Sequence, residues 1–412
     1  MSINATCTFH GVGQGLFYSA IINAKKGKKQ YTFSFVYDCG ASKKQTRLTQ
    51  SIEDFVDVLP MHSDTKPKLD LLIISHFHQD HISGLPKLLK LVDVDMVILP
   101  YTAPEMLLLY AIDAEPLDPF LRTFYSDPVT AIAGYGVNRI IQCVNNEDGY
   151  KESRQQSDDY NESRYNQNLD NVKLEFERII DQYPINKTQV QVVQKLQKAS
   201  VIQADWQFLF WNDSKPSQNL TEYVDEINKY RLKNNFLDVA HLIANPSFIR
   251  TLKKTCINNN ILNQMSIIVH HRPVNAKAST LFFNGPNLCN NSKCDCPIMP
   301  RFYHQRKYNC ATLLTGDIEL DRLNDKSDSS STATEILNEH TDVLLVPHHG
   351  SGMKWDAIDY RLKESPVFVL SYGITNQYGH PDATTISNIL KNRSNLITVN
   401  EGIPYIYHIS VL

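Results

Sequence analysis

The 412-residue sequence contains no apolar run that approaches the roughly 20 residues of a membrane-spanning helix. Its first residues, MSINATCTFHGVGQG, lack the basic stretch followed by an apolar stretch that marks a secretory signal. We therefore expect a soluble, cytoplasmic protein with no membrane partner. In that reducing compartment the eight cysteines would be thiols or metal ligands and not disulfides.

The sequence also lacks an excess of positive charge and several common catalytic motifs. Its formal net charge of -3 excludes a global basic field, although it leaves room for a local basic patch that binds nucleic acid. We find no GxSxG elbow, Walker motif or Rossmann glycine fingerprint, and GVGQG is interpreted as a turn between strands. The composition, 42% hydrophobic and 21% charged, is that of a globular protein longer than one ordinary domain core.

Hydrophobic patterning predicts an α/β core at both ends of the chain. Strands are predicted in GLFYSAII, YTFSFVYDCG, LDLLIIS, VDMVILP, DWQFLFWN, NQMSIIVHH, STLFFN, CATLLTGD, TDVLLVPHHG, SPVFVLSYG, SNLITVN and PYIYHISVL, and helices in ISGLPKLLKLV and TATEILNEH. A strand that ends in a polar loop and leads into a helix places chemistry at the carboxyl end of that strand.

The middle of the chain is predicted to be mainly helical. Residues 104 to about 130 are apolar and helical in pattern, and NVKLEFERIIDQY and VQVVQKLQKA show helical periodicity. Asn145 to Asp170 is polar and is predicted to be a mobile surface loop, and 214–258 to form two or three amphipathic helices. We therefore predict insertions at 104–200 and 214–258 that form a cap.

These patterns predict three parts. Residues 1–103 and 261–412 would form the two halves of one core, the second with a cysteine-bearing hairpin near 286–310. Residues 104–260 would be helical insertions, interrupted by a core strand near 205–213.

The strongest motif is His76-x-His78-x-Asp80-His81, at the end of the strand LDLLIIS. Imidazole and carboxylate ligands without thiolate suit zinc, iron or manganese and argue against a purely structural zinc site. Because alternate residues of an extended loop point in opposite directions, His76 and His78 can bind one ion while Asp80 and His81 bind a second about 4 Å away. The alternative, a chance cluster of surface histidines, is rare in a chain with 14 histidines.

Two further groups of ligands follow other predicted strands. Asp317 comes after the strand in LLTGDIE, and His348 and His349 come after DVLLVPHHGS. On its own, Asp317 would be equally consistent with a turn or helix-cap aspartate. Since all three groups lie at predicted strand ends, one edge of the sheet would collect them, which favours a bridging role for Asp317.

These residues resemble the metallo-β-lactamase superfamily, and within it the hydrolase domain of ComEC-type competence DNA-uptake proteins. Six motifs occur in order: HGVGQG (10–15), VYDCG (36–40), NQMS (263–266), LLTGD (313–317), VPHHGS (346–351) and YGHP (378–381). The resemblance covers roughly 1–103, 205–213, 261–270 and 310–412. It implies an αββα sandwich with helical insertions and two divalent metal ions, Zn²⁺ or Mn²⁺, at one edge.

The resemblance also implies a ligand set. It comprises His76 and His78 for the first metal, Asp80 and His81 for the second, Asp317 as a bridge, and His349, or alternatively His348, as a further ligand of the second. Asp38 would lie behind the metals and hold a ligand histidine through its free ring N–H.

One position departs from many members of the superfamily, because Asn263 stands where they have a further histidine. ComEC-type domains share this asparagine. The first metal site would then be weaker or more open, or would borrow His380. His270 and His271 are nearby in sequence, but at the far end of the same predicted strand.

The implied reaction is hydrolysis of a phosphodiester by hydroxide bridged between two metals, with Asp80, Asp317 and His380 as catalytic residues. His380 would contact the scissile phosphate or protonate the leaving oxygen, unless it is a loop histidine bonded to backbone. Ser351 and Gly350 would offer a hydroxyl and a backbone N–H to the substrate.

Two segments lie outside the resemblance. Cys289, Cys294, Cys296 and Cys310, with His304, would form a small structural zinc site or remain free thiols. RFYHQRKY (301–308) interleaves basic and aromatic residues, as in a nucleic-acid contact or in an ordinary exposed strand.

Three functions follow as hypotheses. The first is a nuclease or phosphodiesterase acting on DNA or RNA. The second is a hydrolase of a small ester, amide or lactam, since the superfamily is chemically broad. The third is a non-catalytic partner in a bacterial multi-component system such as phage defence, docking through the helical insertions.

Overall fold

The computed structural model describes most of the chain. The described residues are 1–42, 45–61, 66–144, 165–169, 171–212, 229, 231–233, 239–255, 266–274, 279–284, 310–324, 331–352, 358–365, 367–392 and 394–411.

The strands within these ranges are β1 Ser2–Phe9, β2 Phe17–Lys26, β3 Lys29–Cys39, β4 Lys68–Ile73, β5 Asp93–Pro100, β6 Arg139–Val144, β7 Tyr165–Leu169, β8 Val172–Ile185, β9 Thr188–Val201, β10 Trp206–Trp211, β11 Ile268–Pro273, β12 Ser279–Asn284, β13 Thr312–Leu314, β14 Val343–Leu345, β15 Val367–Ser371, β16 Asn395–Val399 and β17 Tyr405–Val411.

The helices there are α1 Gln45–Asp57, α2 Gln79–Ile82, α3 Leu85–Leu91, α4 Pro104–Asp113, α5 Pro119–Ser126, α6 Pro128–Ala133, α7 Val239–Ile243, α8 Pro246–Thr255, α9 Ser331–Asn338, α10 Tyr360–Lys363 and α11 Ala383–Lys391, with 3₁₀ turns at Leu320–Asn324 and Pro347–Gly350.

Many core strands form where the sequence predicts them, but β1 and β6 were not predicted. β2 and β3 pair as an antiparallel hairpin, and Gly27 in its turn has a φ of +63°, which glycine adopts without steric cost. The apolar β4 is parallel to β3 on one side and to β5 on the other. Parallel strands covered on both faces need such continuous apolar sequences.

The helical predictions for 171–183 and 190–199 are wrong, because β8 and β9 form a long antiparallel hairpin there. In VKLEF the buried residues alternate with partly exposed ones, so the period is 2 and not 3.6. In β9 the residues 190–193 are all buried, as expected for a strand with partners on both sides. The predicted loop to Asp170 also ends early, since Tyr165–Leu169 is strand β7, and residues 145–164 lie outside the described part.

Strand β9 joins the two halves of the sheet. Its residues Gln189–Gln194 pair with β6, and Lys198–Val201 pair with β10, while β8 runs along its other side. Beyond β10 the pairing continues through β11, β13, β14, β15 and β16. At the opposite end, β17 pairs with both β1 and β12, so the last strand lies beside the first.

Three hydrophobic cores accompany this sheet. The first packs α1 and α3 to α8 against one face of the strands β3 to β6. The second joins the other face of β3 to β6 with residues of β11, β14 and β15. The third lies between the opposite face of β14 and β15 and the helices α9 and α11. The mixed α/β class is confirmed, whereas the αββα order of layers stays a prediction.

The insertions agree only partly with the predictions for them. Helices α4 to α6 occupy 104–133 as predicted, and α7 and α8 lie within the predicted 214–258 segment. Much of that segment, the cysteines before Cys310, His304 and residues 301–308 lie outside the described residues. The domain boundaries and the cap stay predictions. Among the described helices, none has the length and apolarity required to cross a membrane.

Candidate metal centre

The predicted site residues lie at the carboxyl ends of parallel strands. Asp38 lies near the end of β3, and the loop 74–78 follows β4. In the other half of the sheet, Asp317 follows β13, and His349 follows the parallel strand β14. The folding of each strand therefore delivers its polar residue to a common edge.

Asp38 holds Ser75 and His81 in position through hydrogen bonds. Its buried carboxylate accepts hydrogen bonds from the Ser75 backbone N–H (2.7 Å), the Ser75 hydroxyl (2.6 Å) and His81 Nδ1 (2.8 Å). Because Ser75 uses its proton on Asp38, its oxygen accepts from His76 Nδ1 at 2.9 Å. Both imidazoles are thus held with a protonated Nδ1, which leaves Nε2 available as a ligand atom.

His349 reaches the same tautomer by a different contact. Its Nδ1 donates to the Ser371 carbonyl at 2.8 Å, and its Nε2 lies 3.2 Å from Asp80 Oδ2. The turn that positions it is strained, because His348 and His349 have φ values of +49° and +52°. Such a conformation costs about 1–3 kcal/mol per residue and is concentrated at functional sites.

Asp317 lies opposite His76 and His81, and its bridging role stays a prediction. Its backbone N–H donates to Ser266 Oγ at 3.2 Å. Its carboxylate oxygens lie 3.3 Å from His81 Nε2 and 3.6 Å from His76 Nε2. Two distant segments of the chain therefore place nitrogen and oxygen donors around the same small volume.

The donors fit divalent metal ions. Two groups, His76–His81–Asp317 and Asp80–His81–His349, have one ligand atom from each residue within 4.8 Å of the others. His81 Nε2 is buried and has no hydrogen-bond partner, although Asp317 Oδ1 is close by. This nitrogen lies 3.3 Å from the Asp317 oxygen, so one metal ion could bind both atoms. Nitrogen and oxygen donors without sulfur suit zinc or manganese.

His78 belongs to neither of these groups, but its ring faces the same volume. Its Nδ1 lies 2.9 Å from His76 Nε2, and its ring packs edge-on against Tyr110. Burial lowers the pKa of His78 to about 3, so the imidazole is neutral and its nitrogen is available as a ligand near neutral pH.

His81 and Asp317 shift each other's pKa values. Burial alone would lower the pKa of His81, but Asp317 and Asp38 raise it well above its usual value. Burial alone would raise the pKa of Asp317, yet His81 and His76 hold it well below its usual range. In the metal-free protein His81 is thus a cation between two carboxylates, and it would release a proton when its Nε2 binds a metal.

The remaining predicted residues lie further out. The rings of His348 and His380 are 5.4 Å apart, and among the described residues neither is part of a metal-binding group. Ser351 is partly exposed, and its N–H donates to the His348 carbonyl. Asn263 lies outside the described residues, and Gly350, with a φ of +79°, is the last residue of the turn that contains His349.

His270 and His271 are also remote from the centre. Both are buried on β11, and His271 Nε2 lies 2.9 Å from the Tyr18 hydroxyl. Neither residue belongs to a metal-binding group of the described part of the chain.

Sequence reasoning missed three serines that orient the ligands. Ser75, Ser266 and Ser371 contact Asp38, the Asp317 backbone and His349, respectively. Ser75 directly precedes His76 and could have been singled out, whereas Ser371 contributes only a backbone carbonyl, which no residue identity encodes.

Gly40 packs directly against the backbone of the histidine loop, so we expect a larger residue at this position to disturb the metal centre. A Cβ at this position would lie 2.5 Å from the carbonyl carbons of Asp80 and His81. We expect Gly40→Ala to push this backbone outwards, to destabilise the protein by about 1–3 kcal/mol, and to lower metal occupancy measured by elemental analysis. Gly134→Ala is the matched control, since its Cβ would make ordinary 3.5 Å contacts. Normal metal occupancy in Gly40→Ala would contradict this role.

Part of the sequence that contains this site matches a known protein family. Residues 32–152 match the family model described as the metallo-β-lactamase superfamily. The matched segment contains Asp38 and the His76–His81 loop and ends before Asp317 and His349. No curated protein matches the chain. Residues 32–152 thus carry a metallo-β-lactamase superfamily match, which supports a metal-dependent hydrolase in general.

Proposed function

We propose that the protein is a metal-dependent phosphodiesterase that cleaves nucleic acid. The observation that carries the proposal is the convergence of Nε2 atoms from His76, His81 and His349 on the carboxylates of Asp80 and Asp317. Each imidazole has its Nδ1 occupied by a hydrogen bond, so the ligand atoms are oriented before any metal binds. The narrower likeness to ComEC-type domains rests on the six ordered motifs.

The residues would hold two divalent ions, Zn²⁺ or Mn²⁺. His76 and His78 would bind the first, and His349 would join Asp80 and His81 at the second. When bound, such ions lower the pKa of a coordinated water to near 7 and stabilise charge that develops on a phosphoryl oxygen. The carboxylate of Asp317 would bind both ions, and Asp38 would keep the His81 ring in place.

His380 and His348 would contact the phosphate of the substrate. Burial and the neighbouring His348 and His349 lower the pKa of His380, so its imidazole is neutral at pH 7 and can donate an N–H to a phosphate oxygen. The negative charge of a bound phosphate would raise this pKa and favour proton donation to the leaving oxygen. This pair of imidazoles beside the carboxylates supports a phosphodiester over a lactam.

The experiment combines metal analysis with hydrolysis assays on one preparation. We expect the purified protein to contain zinc or manganese and to cleave single-stranded DNA, double-stranded DNA or RNA. Chelation should abolish cleavage, and added Mn²⁺ or Zn²⁺ should restore it. His78→Ala should lower metal content and activity, whereas His408→Ala should not, because His408 lies on β17 and bonds to Thr6.

Two outcomes would contradict the proposal. The first is a metal-loaded protein that leaves DNA, RNA and cyclic nucleotides all intact. The second is faster hydrolysis of a simple ester or a lactam than of any phosphodiester, with the same dependence on His78.

A further inference from the structure

The loop 373–382 lies beside the candidate metal centre and has a fixed backbone. The Asn376 side-chain oxygen accepts from the N–H groups of Tyr378 and His380, both at 3.1 Å. Its amide nitrogen donates to the carbonyls of Gly373 (2.7 Å) and His380 (2.6 Å). One asparagine therefore fixes the backbone around Tyr378 and His380 by four hydrogen bonds.

Four rings lead outwards from the metal centre along this loop, and we call them the ring row: His349, His348, His380 and Tyr378. The centroids of successive rings are 6.5 Å, 5.4 Å and 5.9 Å apart. The row begins at His349, whose Nε2 lies 3.2 Å from Asp80. Its outer end is therefore only a few side chains from the ligand atoms.

Tyr378 is the exposed end of the ring row. Its ring is nearly parallel to that of His380, with an angle of 13° between the planes, yet 66% of the residue is open to solvent. Single exposed apolar residues are common and need no explanation. This tyrosine differs because Asn376 holds its backbone and that of His380, and because its ring already stacks on the His380 ring.

Acidic residues near the metal centre also affect the pKa of the Tyr378 hydroxyl. Partial burial, and then the negative charges of Asp80 and Asp113, raise the pKa of its hydroxyl. A tyrosine hydroxyl is neutral at physiological pH even at its ordinary pKa, so Tyr378 does not repel a phosphate backbone.

We propose that Tyr378 is a stacking platform for the nucleobase next to the scissile phosphate, and that the substrate is single-stranded nucleic acid. This inference rests on the proposed phosphodiesterase function. An aromatic side chain can stack only on a base that is free of its own base pair, as in single strands. Such stacking tolerates any base, because every base has a π-face.

The catalytic arm compares Tyr378→Leu, Tyr378→Phe and Ile374→Ala with the wild type. Stacking on one side chain is worth about 1–3 kcal/mol, which corresponds to a roughly 5- to 150-fold change. We expect Tyr378→Leu to raise KM for short single strands of DNA or RNA by a factor in this range, with kcat little changed. Tyr378→Phe keeps the ring and should stay close to the wild type. Ile374→Ala is the control, since Ile374 is 63% exposed in the same loop.

A small phosphodiester without a base separates the two proposals. Methyl p-nitrophenyl phosphate should be hydrolysed equally by the wild type and Tyr378→Leu. An equal loss on both substrates, or no loss on either, would overturn the platform and leave the phosphodiesterase standing. A wild type that hydrolyses this ester but no nucleic acid would overturn the platform and the nucleic-acid substrate of the proposed function, and would leave only a metal-dependent hydrolysis of simple phosphodiesters. A wild type that hydrolyses neither would overturn the function and the platform with it.

The binding arm needs no catalysis. In an Asp80→Asn background, single strands that carry 2-aminopurine should lose fluorescence when they bind, because a stacked base is quenched. Tyr378→Leu should abolish the quenching and weaken binding by the same 5- to 150-fold factor. Tighter binding of DNA or of RNA would identify the natural strand. Equal binding of duplex and single strand, with no quenching, would overturn the platform.

Discussion

Asp317→Asn is expected to lower kcat/KM for phosphodiester cleavage by roughly a thousandfold and to remove most of the bound metal. The change keeps the size of the side chain but removes the negative charge that faces His76 Nε2 and His81 Nε2. It leaves the backbone N–H of residue 317 bonded to Ser266. Steady-state kinetics and elemental analysis of the same sample would measure both effects.

Asp359→Asn is the control for this change. Asp359 caps the short helix α10 and pairs with Arg361 on the surface, away from the centre. It should retain full metal content and activity. If Asp317→Asn kept its metal and its rate, the carboxylate would not be a ligand, and the convergence of the two halves of the chain would have no catalytic meaning.

Asp38→Ala is expected to have the largest effect on stability. Its fully buried carboxylate accepts three hydrogen bonds, and their loss would leave the Ser75 and His81 donors without a partner. Breaking a buried network of this kind costs about 3–5 kcal/mol, which denaturant unfolding of the metal-free protein would measure. Loss of this support for His81 should also weaken metal binding by about 10- to 100-fold.

Two further variants separate the structural part of this effect from the metal-binding part. Asp70→Ala removes another carboxylate, one that bonds to Ser34 and Lys68, and should destabilise the protein without changing metal affinity. Asp38→Asn keeps the volume and some acceptor capacity, so it should fold and still bind metal less tightly. Unchanged metal affinity in Asp38→Asn would contradict the supporting role of Asp38.

Much of the core and the presence of the site could be predicted because each strand ends in an informative residue. The apolar run of β4 stops where the histidine loop begins, and the short β13 and β14 stop just before Asp317 and Pro347. Parallel strands bring such ends to one edge, so the position of each ligand directly after a predicted strand was sufficient to expect the ligands together. Which residue binds which metal stays a prediction.

Other features could not be read from local patterns. In 172–201 the mixture of valines, glutamines and lysines fits a helical face nearly as well as a strand, and only the pairing of β9 with β6, β8 and β10 decides between them. The strained turn at His348 and His349 is equally invisible, because its energy is recovered through contacts made elsewhere in the fold. The hydrogen bond from His349 to the Ser371 carbonyl depends on tertiary geometry alone.

The pairing of β17 with β1 and the wide separation of the ligands have a consequence for synthesis on the ribosome. Asp80 and His349 are 269 residues apart, and at roughly 5–20 residues per second the second emerges on the order of tens of seconds after the first. For most of that interval the nascent chain has the histidine loop but not Asp317, and His349 follows 32 residues after Asp317. The two groups of metal ligands therefore cannot converge until the strands β13 and β14 have been synthesised.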